Sequence, residues 1–474
     1  MNLSRRSFLR LVTAAAGGAL GGCAAPVGSN RSYLTGLVNP TEPIPADYYW
    51  SDVMFQGVRD QAIGPPLASR VYAMGHLAGF LAVNGADGRY HNPYPEIGRA
   101  PKGISQDAAY AAAVSIAASE ALQTPMEVDL GRYLKRYSLY GGAELASRGG
   151  GGHIDAGVAW GRHVGKIVQS KRTIDGGNAE KVNFYFDPSY NPRKTIDSWS
   201  NTGPFYKTTI GPRFETYERG LFPNLGNMEP FALRSKEQFA VKAFPDVKSK
   251  EFADQFEEVH TLGGSNSTVR TDDQHEIAFF WEDGPRGGTV PAAWLHTGMV
   301  ILKQRNYDSL IERAQLFAQM SCAMADAGIS AWHSKYYYDV FRPETAIRYS
   351  ADSLGNSDPR VKCDRRWTTL IPTPPFPAYV SGHSTFSAAG AQVLRRFLGS
   401  DKISITLEAL DTVNWPDQLK SAKRHYSDIT TLEDENGMSR IYGGVHWQAD
   451  NIEGLRMGKN IGEHVHRNYL NRIG

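Results

Sequence analysis

The stretch YDSLIERAQLFAQMSCAMADAGISAWHSKYYYDV, residues 307–340, carries the clearest helical pattern in the chain. Its apolar residues recur at three- and four-residue spacing, the signature of a long helix. DAAYAAAVSIAASEAL (107–122) is a second strong helix by propensity and spacing. GHIDAGVAWGRHVGKIVQSKR (152–172), DDQHEIAFFWEDG (272–284) and AAWLHTGMVILKQR (292–305) read the same way. So do STFSAAGAQVLRRFLG (384–399) and VHWQADNIEGLRMGKNIGEHVHRNYL (445–470). With no convincing run of strands and no β-α alternation, the chain is predicted to be all-α, two helical bundles with long irregular loops.

Length divides this pattern. A chain of 474 residues exceeds what one hydrophobic core usually fills. The expected division is a signal at 1–23, a tether and irregular wrapping segment at 24–105, an N-terminal bundle at 106–300 and a C-terminal bundle at 301–474. The Pro-, Gly- and Asn-rich stretch from about Thr173 to Val247 reads as loops laid over helices. Gly149 to Gly152 lacks the Gly-Lys-Ser/Thr ending of a phosphate loop and reads as a connection. A net charge of +2 gives no electrostatic footprint for nucleic acid. Three cysteines without a CxxC pair exclude a disulfide scaffold and point to no zinc or redox site.

The N-terminus MNLSRRSFLRLVTAAAGGALGGCAAP is a basic start followed by a short apolar segment ending in small residues, a secretory signal. Arg5-Arg6 resembles a bacterial twin-arginine export signal. Leu20-Gly21-Gly22-Cys23 resembles a lipobox, which makes Cys23 the lipidated first residue of an exported, periplasmic or outer-surface lipoprotein. Membrane contact is then expected through that anchor only. A plain cleaved signal is the alternative. Cys322 and Cys363 are read as buried thiols or one disulfide.

The chemistry gathers in the last third. In VSGHSTFSAAGA, Ser381 is placed to cap a helix, and Gly382 leaves room for an oxyanion near the helix N-terminus. Alone this is an ordinary cap; the cations decide. Lys335 and Arg342 have six residues between them in KYYYDVFRP, and SRIYGGVHWQAD holds Ser439, Arg440, His446 and Asp450. Two arginines and a lysine can hold a tetrahedral or trigonal-bipyramidal oxyanion, arginine through forked hydrogen bonds. His446 and Asp450, four apart, share a helix face, so Asp450 can fix the ring tautomer and leave the other nitrogen free to attack or ligate.

K-x6-R-P, S-G-H and S-R-x5-H-x3-D, in this order, resemble the signature of vanadium-dependent haloperoxidases and type 2 phosphatidic acid phosphatases. The motifs cover Lys335 to Asp450, and a more diffuse resemblance to bacterial haloperoxidase-like proteins runs upstream through EPFALRSKEQF and RTDDQHEIAFFW. Ten positions match, each occupied by chance roughly one time in twenty. Val380 departs from the family, which usually has proline there.

The resemblance implies that Lys335, Arg342, Ser381, Gly382 and Arg440 bind the oxygens of vanadate, or of phosphate in the same pocket. It makes His446 the axial ligand to vanadium or a phosphoryl-accepting nucleophile, with Asp450 behind it, and His383 the acid–base group. Trp332 and Phe376 then match a halide pocket of chloroperoxidase type, with simple packing as the alternative; bromoperoxidases more often have histidine at the Phe376 position. The implied activity is oxidation of halide by hydrogen peroxide to hypohalous acid, acting on a small organic substrate. The alternatives are an exported acid phosphatase that cleaves a phosphate ester, and a non-catalytic oxyanion-binding envelope lipoprotein. The long chain ahead of Lys335 favours the first.

Other histidines carry less. His275-Glu276 is not an HExxH pair, because position 279 is Phe. His464 and His466 point to different helix faces, and His333 is read as either supporting the site or facing solvent.

Overall fold

The computed structural model describes residues 32–38, 44–140, 153–177, 190–191, 193–200, 202, 220–284, 287–412 and 415–474. Arg5, Arg6, Cys23 and the Gly149–Gly152 run lie outside the described residues. The first half holds α1 (Ala46–Asp60), α2 (Pro65–Asp87), α3 (Gln106–Leu122), α4 (Glu127–Tyr140) and α5 (Ile154–Thr173). The second holds α6 (Lys250–Leu262), α7 (Asp272–Phe280), α8 (Thr289–Gln304), α9 (Leu310–Tyr338), α10 (Gly382–Leu398), α11 (Ile429–Tyr442) and α12 (Gln448–Asn468). The protein is mostly helical, as its periodicity predicts. No described helix is long and apolar enough to cross a membrane.

Helix α9 is the long helix of the 307–340 stretch. Ser309 stands at its start, and Asp339, at φ 50°, closes it in the left-handed conformation. Most of its residues are buried, because it packs against α2 as well as against α10 and α12. A single apolar cluster runs from Tyr33 to Leu470 through residues 32–474, which form one compact unit.

One helical pair is built twice. Ser105 caps α3 by accepting from the Ala108 amide at 3.2 Å, and Ser381 caps α10 by accepting from the Ser384 amide at 3.3 Å. The Ser105 amide donates to the His153 carbonyl (3.2 Å) just before α5; the Ser381 amide donates to the Asp450 carbonyl (3.0 Å) in the first turn of α12. On α5, Gly157, Gly161 and Gly165 face the carbonyls of Ser105, Ala109 and Ala113; on α12, Gly454, Gly458 and Gly462 face those of Ser381, Thr385 and Ala389. A Cβ at any of the six would lie 2.2 to 2.9 Å from its carbonyl oxygen. Each seam is therefore a glycine ridge pressed onto a helix backbone, in the same register from the same serine cap.

Two expectations fail. Residues 24–105 are not an irregular wrap, because α1 and α2 occupy 46–87. Helix α2 is buried on nearly every side, so no polar face marks its period. Its glycines read as breakers, yet a Cβ at Gly79 would sit 2.4 Å from the Tyr110 ring and one at Gly85 2.4 Å from Trp160. The second miss is an antiparallel ribbon of β1 (Lys402–Glu408) and β2 (Lys423–Asp428), with Ile405 opposite Tyr426. Its signal was the alternation of Ile403, Ile405 and Leu407, where Ile405 and Leu407 are buried.

Candidate functional site

The ends of α9 and α11 and the starts of α10 and α12 meet in the second half, and each brings one part of the three motifs. Lys335, in the last turn of α9, is fully buried. Its Nζ donates to the carbonyls of Pro377 (3.1 Å), Ala378 (2.9 Å) and Val380 (2.5 Å), so the ammonium pins the segment that leads into α10. The Tyr379–Val380 peptide in that segment is cis. Arg342 follows α9 and is equally buried. Its Nε donates to the Phe376 carbonyl at 2.9 Å, and its Nη1 donates to the Val445 carbonyl (2.8 Å) and to His446 Nε2 (2.9 Å).

His446 lies outside α12, just ahead of its cap residue Trp447, so it meets Asp450 from before the helix rather than from a shared helix face. Its Nδ1 donates to Asp450 Oδ2 at 2.7 Å, and the same oxygen accepts from the Trp447 amide at 3.0 Å. One carboxylate thus fixes the ring tautomer and caps the helix that carries it. Arg440, in the last turn of α11, donates from Nη1 to the Glu282 carbonyl at 3.4 Å. His383, in the first turn of α10, meets the same carbonyl through Nε2 at 3.1 Å. A carbonyl only accepts, so Nε2 carries the proton and Nδ1 is left with the lone pair in the neutral ring.

The cluster carries more positive than negative charge. Burial, then Arg342, pushes the Lys335 ammonium well below its ordinary pKa. Burial lowers Arg342 to about 9 and Arg440 to about 10, with Arg440 adding to the first effect. Burial and then the charges of Arg342, Lys335 and Arg440 hold the His446 ring well below the usual imidazole range, so it is neutral at pH 7. Burial raises Asp450 to about 7 against the pull of the Trp447 amide, Lys335 and Arg342. Arg342 Nη2 and Arg440 Nε are buried with no hydrogen-bond partner among the described residues. Two unsatisfied guanidinium N–H groups inside a cationic cluster fit an oxyanion, vanadate or phosphate, which would accept from both.

Several sequence expectations change in detail. His446 Nε2 is not free, because Arg342 Nη1 donates to it. The space at Gly382 is taken by protein: a Cβ there would meet the Trp332 ring at 3.1 Å, so the glycine serves indole packing as well. Ser381 Oγ is engaged as the α10 cap, and Ser439 Oγ donates to its own helix at Asn436. Trp332 is buried, its ring 5.0 Å from that of Phe376, and only Phe376 is partly accessible. Lys335 Nζ lies 5.5 and 5.2 Å from the two rings, so both are part of the cation's wall.

The remaining candidates lie apart from the cluster. His333 pairs with Glu237 at 3.5 Å, and His464 bonds to Gln238 and Asn468. Glu276 pairs with Arg424. Cys322 and Cys363 are both free thiols, and Cys363 is only half-buried, so neither a disulfide nor a pair of buried thiols describes them.

Sequence reasoning missed Glu282 and Asp283, which follow α7 and face Arg440 from inside the protein. Burial raises their carboxyls to about 7 and about 8. In the sequence they end an apolar run ahead of Gly284, which reads as an exposed turn; the signal was the conjunction of a helix end with two adjacent acids.

Residues 315–473 match the family model described as VCPO second helical-bundle domain. The vanadium chloroperoxidase of Curvularia inaequalis is 29% identical over 299 residues, 52% of this chain and 46% of that protein. The match thus spans about half the length of that curated relative. Among solved structures, a bacterial vanadium-dependent iodoperoxidase superposes with a TM-score of 0.70 at 23% identity, covering 91% of this chain and 98% of that one. The holo-type bacterial vanadium-dependent chloroperoxidase gives 0.65 at 18% identity, covering 93% and 96%. The chain has the helical-bundle fold of these proteins, and its residues 315–473 match the second helical-bundle domain model in sequence.

Proposed function

We propose that this chain, whose second bundle is of the vanadium-haloperoxidase kind, is a vanadate-dependent haloperoxidase that oxidises halide with hydrogen peroxide to hypohalous acid. The observation that carries the reading is the joining of a neutral His446, held by Asp450, to three buried cations, two of which hold unsatisfied N–H groups. Bound vanadate would supply the Lewis-acidic centre at which hydrogen peroxide is activated.

The protein's own part is binding, orientation and proton placement. Arg342 and Arg440 would direct their open N–H groups at the anion's oxygens, with the Gly382 amide completing the cradle at the N-terminus of α10, since the Ser381 amide is spent on the Asp450 carbonyl. Lys335 keeps its charge beside them, fixed by three carbonyls. As Arg342 turns to the anion, His446 Nε2 is released, and Asp450 holds its ring in the tautomer that presents a lone pair. His383 offers Nδ1 to receive and return the proton of the incoming peroxide. Phe376, the accessible ring, borders the route for halide and a small organic substrate. The N-terminal segment adds export by the twin-arginine route and a lipid anchor at Cys23.

The test measures halogenation of a phenol with peroxide and halide, with and without orthovanadate, beside hydrolysis of a phosphate ester. Vanadate-dependent halogenation supports the haloperoxidase. Ester hydrolysis inhibited by vanadate, without halogenation, makes the protein a phosphatase with His446 as nucleophile. Loss of both leaves an anion-binding protein.

A further inference from the structure

Behind His383 lies a polar clamp that the proposed reaction does not use directly. Glu435, on α11, accepts at Oε1 from the Trp281 indole N–H (2.9 Å), the Arg424 Nε (2.7 Å) and the Tyr426 hydroxyl (2.5 Å). Its Oε2 accepts from Arg424 Nη2 at 2.9 Å. Arg424 also reaches α7 through Glu276 at 2.7 Å and Asp273 at 3.0 Å. The clamp therefore ties β2, α11 and the end of α7 together around one carboxylate.

Trp281 is almost completely buried and is followed at once by Glu282, whose carbonyl meets His383 Nε2 and Arg440 Nη1. Asp283, next in line, has φ 42°, a left-handed turn that aspartate tolerates. The Glu282 carbonyl can stay beneath His383 only if the backbone entering that turn is held. The indole N–H on Glu435, one residue upstream, holds it from behind, beside the longer bond that Arg440 Nη1 donates to the carbonyl itself.

We propose that Glu435 is a positioning residue of this site, fixing through the Trp281 indole the Glu282 carbonyl that keeps His383 in its Nε2–H tautomer. The proposal rests on the role given to His383 above, but it is read from the ring itself. Arg424 and Tyr426 satisfy Glu435 from the ribbon side, so the contact with Trp281 can be removed without leaving a bare buried carboxylate. The clamp also joins α11, which carries Arg440, to the end of α7.

The test compares Trp281→Phe, which deletes one N–H and keeps a ring, with Glu435→Gln. In 15N-histidine-labelled protein, the His383 ring signals are assigned by their loss in His383→Gln. The parent chain is expected to show the Nε2–H tautomer, and both variants a mixture of the two. Halogenation is expected to fall about 10- to 100-fold, while inorganic phosphate binding to the cradle stays within about threefold. An unchanged His383 tautomer in a folded Trp281→Phe protein overturns the proposal, whatever happens to the melting temperature. So does a loss of phosphate affinity as large as the loss of rate, which would make Arg440 the group being positioned. If the parent chain does not halogenate at all, the functional reading fails while the tautomer measurement still decides this one.

Discussion

Gly458→Ala separates the construction of the site from the stability of the fold, because the molecule contains its own control. A Cβ at Gly458 would stand 2.3 Å from the Thr385 carbonyl oxygen and 2.7 Å from the Ala388 Cβ, where ordinary contact begins near 3.4 Å. The obstacle is helix backbone, which cannot rotate away, so α12 must retreat from α10 by about 1 Å. Overpacking of this kind costs about 1–3 kcal/mol, offset by the roughly 1 kcal/mol that alanine gains over glycine inside a helix. At about 1 °C per kcal/mol for a chain of 474 residues, the melting temperature should fall by about 1–2 °C.

Gly161→Ala meets the same obstacle in the first half, 2.2 Å from the Ala109 carbonyl oxygen, so its thermal penalty should match. Only the α10–α12 seam joins the Ser381 amide to the Asp450 carbonyl, and through Asp450 to His446. Displacement there by about 1 Å should cost on the order of 10²-fold in halogenation, whereas Gly161→Ala should leave the rate nearly intact. Thermal unfolding followed by rate measurement on both variants decides the matter. If matched destabilisation brings matched loss of rate, activity merely tracks stability and the seam argument is wrong; if neither variant melts lower, the close approach of the helices is wrong.

His446→Ala should abolish activity while the protein stays folded and still binds phosphate weakly, as calorimetry would record; full halogenation by this variant contradicts the assignment. Asp450→Asn should lose about 10- to 100-fold in rate, because the amide can still contact the ring but no longer fixes its tautomer as a charge. The carboxyls of Glu282 and Asp283, raised by burial to about 7 and about 8, give a pH signature. A carboxyl raised on folding contributes stability that is complete below its unfolded pKa near pH 4 and is lost as pH climbs through the folded value. The protein should therefore melt progressively lower between about pH 4 and 8 and level off above that, and Asp283→Asn should flatten the slope; a flat profile across that window in the parent chain refutes it. Cys23→Ser should abolish lipid labelling, and lysines at Arg5 and Arg6 should retain precursor in the cytoplasm; a lipid-free parent protein recovered soluble after export removes the anchor from the proposal.

The sequence discloses the chemistry of this chain more readily than its packing, for a physical reason. Oxyanion binding needs particular residue types, so Lys335, Arg342, His383, Arg440, His446 and Asp450 can be found by identity and spacing alone, and their ends of four helices do meet. Helix α3 and helix α9 announce themselves by propensity and length, but α2 is immersed on nearly every side and has no polar face to set its phase. Its glycines, like those at 454, 458 and 462, look like interruptions until the facing carbonyls are in view. What could not be read at all is how buried charges are shared out before an anion arrives. Arg342 is one residue in a motif, yet in space it binds the Phe376 and Val445 carbonyls and His446 Nε2 together. Burial lowers every cation of the cluster, repulsion between cations adds to it at Lys335 and Arg342, and the acids facing Arg440, Glu282 and Asp283, come from a turn with no motif of its own. The same arginine that adds charge to the site thus also covers His446 Nε2, a contact that no spacing in the sequence announces.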